Sequence, residues 1–302
     1  MEKQDFLEAL ESAYGERKMH FFGLGGAVLS FLAFSALALA SAPLPFTHYF
    51  LSVGQGDSEA VMLQGGMVAL VDGGPANGRA VRELERVLPF YKRSVDIIFL
   101  THPEEDHFGG LIEILKRYKV GVVLTNGDAN DTEVYYEFTR TMEQKNIKAI
   151  ALSAGDKVRA GDIELSVLWP LPGERSNQPN ENALVLLGEF RGNRSLLAAD
   201  IPDSAEKRLA ETVPEASLLK VAHHGSKFSS DEDFLYAVNP VAAVVEVGKN
   251  NYGHPSPEAL SRLSTAGAEV FRTDRDGTLG ARFEGNILKI FSVKMAGRGF
   301  LR

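Results

Sequence analysis

Hydrophobic positions follow two different patterns along this chain. Residues 21–42 read FFGLGGAVLSFLAFSALALASA, an unbroken uncharged run close to the ~20 residues that span a bilayer. From residue 46 the runs shorten. HYFLSVG, EAVMLQGG and MVALVDGG are apolar stretches closed by turn residues, and they predict strands of a meander. Helical spacing follows at 79–88, a strand at 95–100, a helix at 109–117, a strand at 120–124 and a helix near 134–144. Further strands are predicted at 163–168, 183–190, 195–198, 218–221 and 242–247, with helices near 204–211, 231–238 and 257–264. Strands alternating with helices predict an α/β (α+β) layered domain over residues 46–295.

The long run predicts a single transmembrane helix at 21–42 behind a short tail of residues 1–20. Arg17 and Lys18 precede it, and the next basic residue is Arg79. The excess of basic residues on the N-terminal side places the tail in the cytoplasm and the C-terminal domain outside, a single-pass protein of the cell membrane. The competing reading is a cleaved signal peptide and a secreted product, because Ala40-Ser41-Ala42 has the small residues of a processing site. Pro43 directly after it and the length of the run argue for an anchor.

Composition narrows the chemistry. At 302 residues and 44% hydrophobic content the chain can bury a large core, which excludes collagen, coiled coil and disorder. A net charge of -8 gives no global footprint for nucleic acid, so any such contact is local. With no cysteine, disulfides, thiol catalysis and zinc-thiolate sites are excluded.

Three clusters carry candidate chemistry. Thr101-His102-Pro103-Glu104-Glu105-Asp106-His107 follows a predicted strand and precedes Phe108-Gly109-Gly110, which opens a helix. Imidazoles and carboxylates packed this closely suit one or two divalent ions held by nitrogen and oxygen donors, zinc or manganese. The competing reading is a polar turn in which Asp106 caps the helix. The other clusters weaken it. The chain has seven histidines, four of them in two compact pairs; the second pair, His223-His224-Gly225, again ends an apolar strand. Between them, Ser195-Leu196-Leu197-Ala198-Ala199-Asp200 is an apolar strand ending in a carboxylate. Strand ends on one sheet edge are where such folds gather ligands.

These motifs resemble the successive metal motifs of the metallo-β-lactamase superfamily. More narrowly, LSVGQGDS at 51–58, LVDGG at 70–74, LKVAHHGS at 219–226, GHPSP at 253–257 and RTDRDG at 272–277 resemble the hydrolase-like domain of ComEC-type DNA-uptake proteins. The resemblance runs in order from about residue 47 to 285. It implies a four-layer αββα sandwich with metals at the mouth between the sheets. It also implies that His102 and Glu104 bind one ion, that Asp106 and His107 bind a second, and that Asp200 bridges them. His224 matches the late ligand better than His223, which stays a candidate. The sequence departs from the superfamily at Asn180-Glu181-Asn182, where a ligand histidine is usual, and at Glu104, which is longer than expected. A single ion therefore stays open.

The resemblance implies a phosphodiesterase or nuclease acting on DNA outside the membrane, with single-stranded DNA or another phosphodiester as partner and a DNA-uptake channel protein beside it. Asp106 or Asp200 would orient the attacking hydroxide. Lys220, Ser226, Lys227, Asn182 and His254 are candidate substrate contacts, although Lys220, Ser226 and Lys227 equally fit a solvated surface. Asp57 and Asp72, each ending an early strand in a Gly-containing turn, are expected to support the metal loop through backbone amides rather than ligate. Two other functions fit the same fold: hydrolysis of a small ester, lactone or β-lactam, and a non-catalytic binding module of a membrane complex.

Overall fold

Strand alternation decides the architecture. In the computed structural model, which describes residues 46–293, β3 (Val68–Val71) sends Val68 and Leu70 to one core and Ala69 and Val71 to another. A strand buried on both faces must lie between two layers. The first sheet has eight strands: β1 (Thr47–Phe50), β2 (Glu59–Met62), β3, β4 (Ser94–Leu100), β5 (Lys119–Thr125), β6 (Lys148–Ala151), β14 (Leu279–Glu284) and β15 (Ile287–Ser292), ordered β15-β14-β1-β2-β3-β4-β5-β6. The second has seven: β7 (Lys157–Ala160), β8 (Ile163–Trp169), β9 (Val185–Phe190), β10 (Asn193–Leu197), β11 (Leu218–Lys220), β12 (Ala242–Val245) and β13 (Glu269–Arg272), ordered β13-β12-β11-β10-β9-β8-β7. In each sheet an antiparallel part continues into a parallel one, β3 to β6 in the first and β10 to β13 in the second.

Three apolar clusters make the layers. One holds the outer face of the first sheet with residues of α1 (Arg79–Val87), α2 (Glu105–Phe108), α3 (Leu111–Arg117) and α4 (Glu133–Gln144). Another holds the second sheet with α5 (Asp203–Leu209), α6 (Glu232–Val238) and α7 (Pro257–Thr265). The third, including Phe50, Phe99, Leu186, Leu197, Leu218 and Val244, lies between the sheets. The result is an αββα sandwich.

Apart from β14, which lies inside the first sheet and is largely buried, the strands that depart from the periodic pattern lie at the sheet edges. No pattern predicted β6, β7, β13, β14 or β15. β6 is exposed at every position, and β15 at four of its six, so half-burial imposes no alternation there. The expected tail 1–20, transmembrane run 21–42 and residues 294–295 lie outside the described residues. Among those described, no helix is long and apolar enough to cross a membrane.

Candidate metal centre

Every chemistry-bearing loop leaves the carboxyl end of a strand: Asp57 after β1, Asp72 after β3, residues 101–107 after β4, Asp200 after β10, the histidine pair after β11 and Glu246 after β12. Tight backbone approach lets the loops meet. A side chain on Gly110 would run into the Gly73 carbonyl, and one on Gly56 into that of Asp106. Only glycine allows the Asp57 and Asp72 turns to pack against the 101–110 loop. Among the described residues, four of the eight non-glycine residues at positive φ, namely Asp72, Ala199, His223 and His224, also sit in these loops. Such strain, on the order of 1–3 kcal/mol each, collects where a site needs fixed directions.

His102, His107 and Asp200 present ligand atoms within 4.8 Å of one another, as do Asp106, His107 and His224. The Nε2 atoms of His102, His107 and His224 are buried and have no hydrogen-bond partner. Their Nδ1 atoms are all engaged. His107 Nδ1 lies 2.7 Å from Asp72 Oδ2, and His224 Nδ1 lies 2.9 Å from the Glu246 carbonyl. His102 Nδ1 lies 2.9 Å from Thr101 Oγ1, whose proton goes to Asp72 Oδ2 at 2.6 Å. Each Nδ1 therefore donates, and each Nε2 lone pair faces the centre. This is the tautomer a metal ligand requires. Asp200 Oδ2 lies 3.4 Å from His107 Nε2 and 3.3 Å from His224 Nε2; Asp106 Oδ2 lies 3.4 Å from His224 Nε2. The donor set of orphaned imidazole nitrogens with carboxylate oxygens fits a divalent ion.

The electrostatics favour a cation. Burial works to lower the pKa values of His107 and His224, but the carboxylates around them, Asp200 foremost, outweigh it and raise both well above the ordinary value. Burial likewise pushes Asp200 up, yet His224, His107 and Lys220 hold it well below the carboxylate range. Asp106 is brought down to about 2, burial being overcome by His107 and His224.

Beneath this centre lies a network that the motifs revealed only in part, through Asp57 and Asp72. Lys220 is fully buried. Its ammonium ion-pairs with Asp57, donates to the Ala199 carbonyl at 2.8 Å and stands 3.6 Å from Asp200 Oδ1. Glu246 accepts from the Ser58 backbone N–H at 3.2 Å, and Glu59 joins it and Asp57 in a buried carboxylate cluster. Asp72 takes three hydrogen bonds, from Thr101 N, Thr101 Oγ1 and His107 Nδ1. Glu59 and Glu246 were missed, and Thr101, though inside the first cluster, was given no role. Each was visible as a polar residue in or beside an apolar strand.

Several expected contacts with substrate are not formed this way. Lys220 is sealed beneath the centre by its ion pair. Ser226 is buried, accepting from Phe228 N at 3.2 Å to close a turn. Asn182 is buried and tied to Asp128 Oδ2 at 2.7 Å and to Ser176, so its amide braces the 176–182 loop. Lys227 is exposed, with its ammonium 4.9 Å from the Phe228 ring centroid, and does not line the cleft. Glu104 stands half-exposed at the rim, 3.8 Å from His102 Nε2. His223, with a side chain 30% exposed and 3.9 Å from Asp200, and half-buried His254 both line an open cleft of about 720 Å³ above the centre. Asp106, Asp200 and His224 open into the same cleft, as do residues 249–252.

Comparison with known proteins agrees with this geometry. A profile described as "Metallo-beta-lactamase superfamily" matches residues 53–248. ComE operon protein 3 of Bacillus subtilis is 29% identical over 263 residues, covering 80% of this chain and 34% of that protein. Recombination protein 2 of Haemophilus influenzae is 28% identical over 244 residues, covering 80% and 29%. The chain thus spans about a third of the length of these relatives. Among solved structures, the metallo-beta-lactamase fold protein YhfI of Bacillus subtilis aligns with a TM-score of 0.52 at 13% identity, covering 82% of this chain and 100% of that one. Igni18, a metallo hydrolase of Ignicoccus hospitalis, gives 0.51 at 17%, covering 79% and 100%.

Proposed function

This chain belongs to the metallo-beta-lactamase superfamily, and we propose that it is a metal-dependent phosphodiesterase acting on DNA strands outside the cytoplasmic membrane. The observation that carries the reading is the convergence of three buried, unpartnered Nε2 atoms on Asp106 and Asp200 at the floor of an open cleft. His102, His107, His224, Asp106 and Asp200 would hold one or two divalent ions, zinc or manganese, with Glu104 at the rim. An ion there supplies Lewis acidity, which eases deprotonation of water and draws charge from a phosphoryl oxygen. Asp106 faces the cleft and can orient the attacking water through Oδ2. His223 Nε2, turned to the cleft beside Asp200, can hydrogen-bond a phosphoryl oxygen. The choice of a phosphodiester rests on the resemblance to ComE operon protein 3 and Recombination protein 2. The extracytoplasmic placement, the anchor at 21–42 and a DNA-uptake channel as partner belong to the same proposal.

The test is elemental analysis of the purified full chain, with hydrolysis of single-stranded DNA, bis-p-nitrophenyl phosphate, a lactone and a β-lactam, using His107→Ala as control. Expected are a co-purifying divalent metal and phosphodiester cleavage that the variant loses. Cleavage of the lactone or β-lactam alone would transfer the enzyme to another substrate class. A metal-free protein, inert after zinc or manganese is added, would leave a binding module in place of an enzyme.

A further inference from the structure

One aromatic side chain at the cleft has no part in the centre. Tyr252 lines the cleft yet is 77% exposed. Scattered exposed aromatic residues need no explanation, but the support beneath this one is specific. The Asn250 amide donates to the Gly248 carbonyl at 2.9 Å and to the His254 carbonyl at 2.8 Å, and it accepts from Tyr252 N at 3.0 Å and His254 N at 3.1 Å. That uses both donors and both lone pairs of the amide. The 248–254 loop is therefore stapled from within, which fixes the backbone that carries the exposed ring at the cleft.

From Tyr252 a chain of rings descends to the centre. Its ring lies 5.8 Å from that of His254, which lies 5.6 Å from His223 and 6.4 Å from His224. A group seated on Tyr252 is thus next to whatever is held over His223 and His224. Charge points the same way. Among the described residues lining the cleft, Lys249 faces Glu104, Glu105, Asp106 and Asp200, and lysine and arginine contribute nothing else. With so little fixed positive charge, phosphate attraction to side chains supplies little affinity, and a flat ring supplies it by stacking.

We infer that Tyr252 is a stacking shelf for an unpaired nucleobase flanking the phosphodiester, so that the cleft selects single strands with bases over duplexes and over base-free backbones. The inference rests on the phosphodiesterase reading. It adds to that reading the part of the substrate recognised beside the scissile group. A duplex keeps its base faces inside the stack, whereas an unpaired base can present one to the tyrosine.

The experiment measures equilibrium binding of the full chain in detergent with Mn²⁺, by fluorescence anisotropy, to labelled phosphorothioate strands. The probes are an oligothymidylate, an abasic strand of equal length and a duplex; the proteins are wild type, Tyr252→Ala and Tyr252→Phe. Tyr252→Ala should weaken oligothymidylate binding roughly 5- to 150-fold, leave abasic binding unchanged and keep the wild-type Mn²⁺ affinity. Tyr252→Phe, which retains the ring, should bind like wild type. If wild type binds oligothymidylate no better than the abasic strand, or Tyr252→Ala binds it as tightly as wild type, the shelf is overturned while the phosphodiesterase reading stands. If wild type binds neither strand and cuts neither unmodified strand, both fall together.

Discussion

Replacing Lys220 by methionine tests whether the charge network beneath the centre holds the fold. The methionine keeps most of the aliphatic stem and removes only the ammonium that pairs with Asp57 and donates to the Ala199 carbonyl. Both partners are buried, Lys220 at 0% and Asp57 at 1% exposure, so solvent does not screen the loss. Burial lowers the lysine pKa, but Asp57 and then Asp200 outweigh it and raise it. Burial raises Asp57, and Lys220 is the first group holding it down. Stranding a buried carboxylate in this way costs about 3–5 kcal/mol. At ~2–4 °C per kcal/mol for a domain of this size, the melting temperature should fall roughly 10 °C. The single tryptophan, Trp169, is buried, and its fluorescence during urea unfolding at pH 7 with chelator present reads the loss. Adding Asp57→Asn removes both charges together and should recover most of it. A single variant within about 1 kcal/mol of wild type, or a double variant no more stable than the single, would refute the reasoning.

Asp72→Asn replaces the acceptor of His107 Nδ1 with an N–H. Loss of the tautomer lock should weaken Mn²⁺ or Zn²⁺ binding about 10–100-fold by calorimetry; unchanged affinity would mean that Asp72 does not orient the imidazole. Glu206, buried under the backbone N–H groups of Ser230 and Asp231 at 2.9 and 2.8 Å, is pushed by burial from 4.5 to about 7. A raised carboxyl pKa makes its contribution full below the unfolded value and lost as pH rises through the folded one. Relative to Glu206→Gln, wild-type unfolding free energy should therefore fall by about 3 kcal/mol between pH 4.5 and pH 7.5; parallel stability curves for the two proteins would show that the carboxyl does not titrate there.

The ligand loops were legible because they are local: short His and Asp clusters, each ending an apolar strand, mark strand-end chemistry without any knowledge of pairing. The buried network was legible only in part. In β11, Lys220 shares a face with Leu218, and after β12 Glu246 continues the face of Ala242 and Val244; in β2, Glu59 shares a face with Val61. Leu218, Ala242, Val244 and Val61 all belong to the layer between the sheets. Period-two alternation therefore points three charged side chains inward, a signal that the motif reading did not use. It carried no information on which strands stack over which, and so did not bring them together. Lys220 was instead grouped with its sequence neighbours Ser226 and Lys227 as a substrate contact. Asn182 misled for a related reason: its place in the motif order suggested the centre, while its hydrogen bonds to Ser176 in its own loop and to Asp128 in the loop after β5 use its amide to brace those two loops.

The same network explains how two sheets can hold one centre. His102, Asp106 and His107 come from the first sheet, Asp200 and His224 from the second, so their convergence depends on how far one sheet slides over the other. The apolar layer between the sheets fixes this poorly, because hydrophobic contact is not directional. Directional bonds cross at the mouth: Lys220 to Asp57, Ser58 N to Glu246 and Leu184 N to the Thr101 carbonyl at 3.0 Å. Below them His48 Nε2 meets Ser195 Oγ at 3.1 Å. Metal ligation tolerates errors of only about 0.2 Å. The buried charges therefore have a role beyond stability, since the bonds that set the sheets' relative position lie directly beneath the atoms that require it.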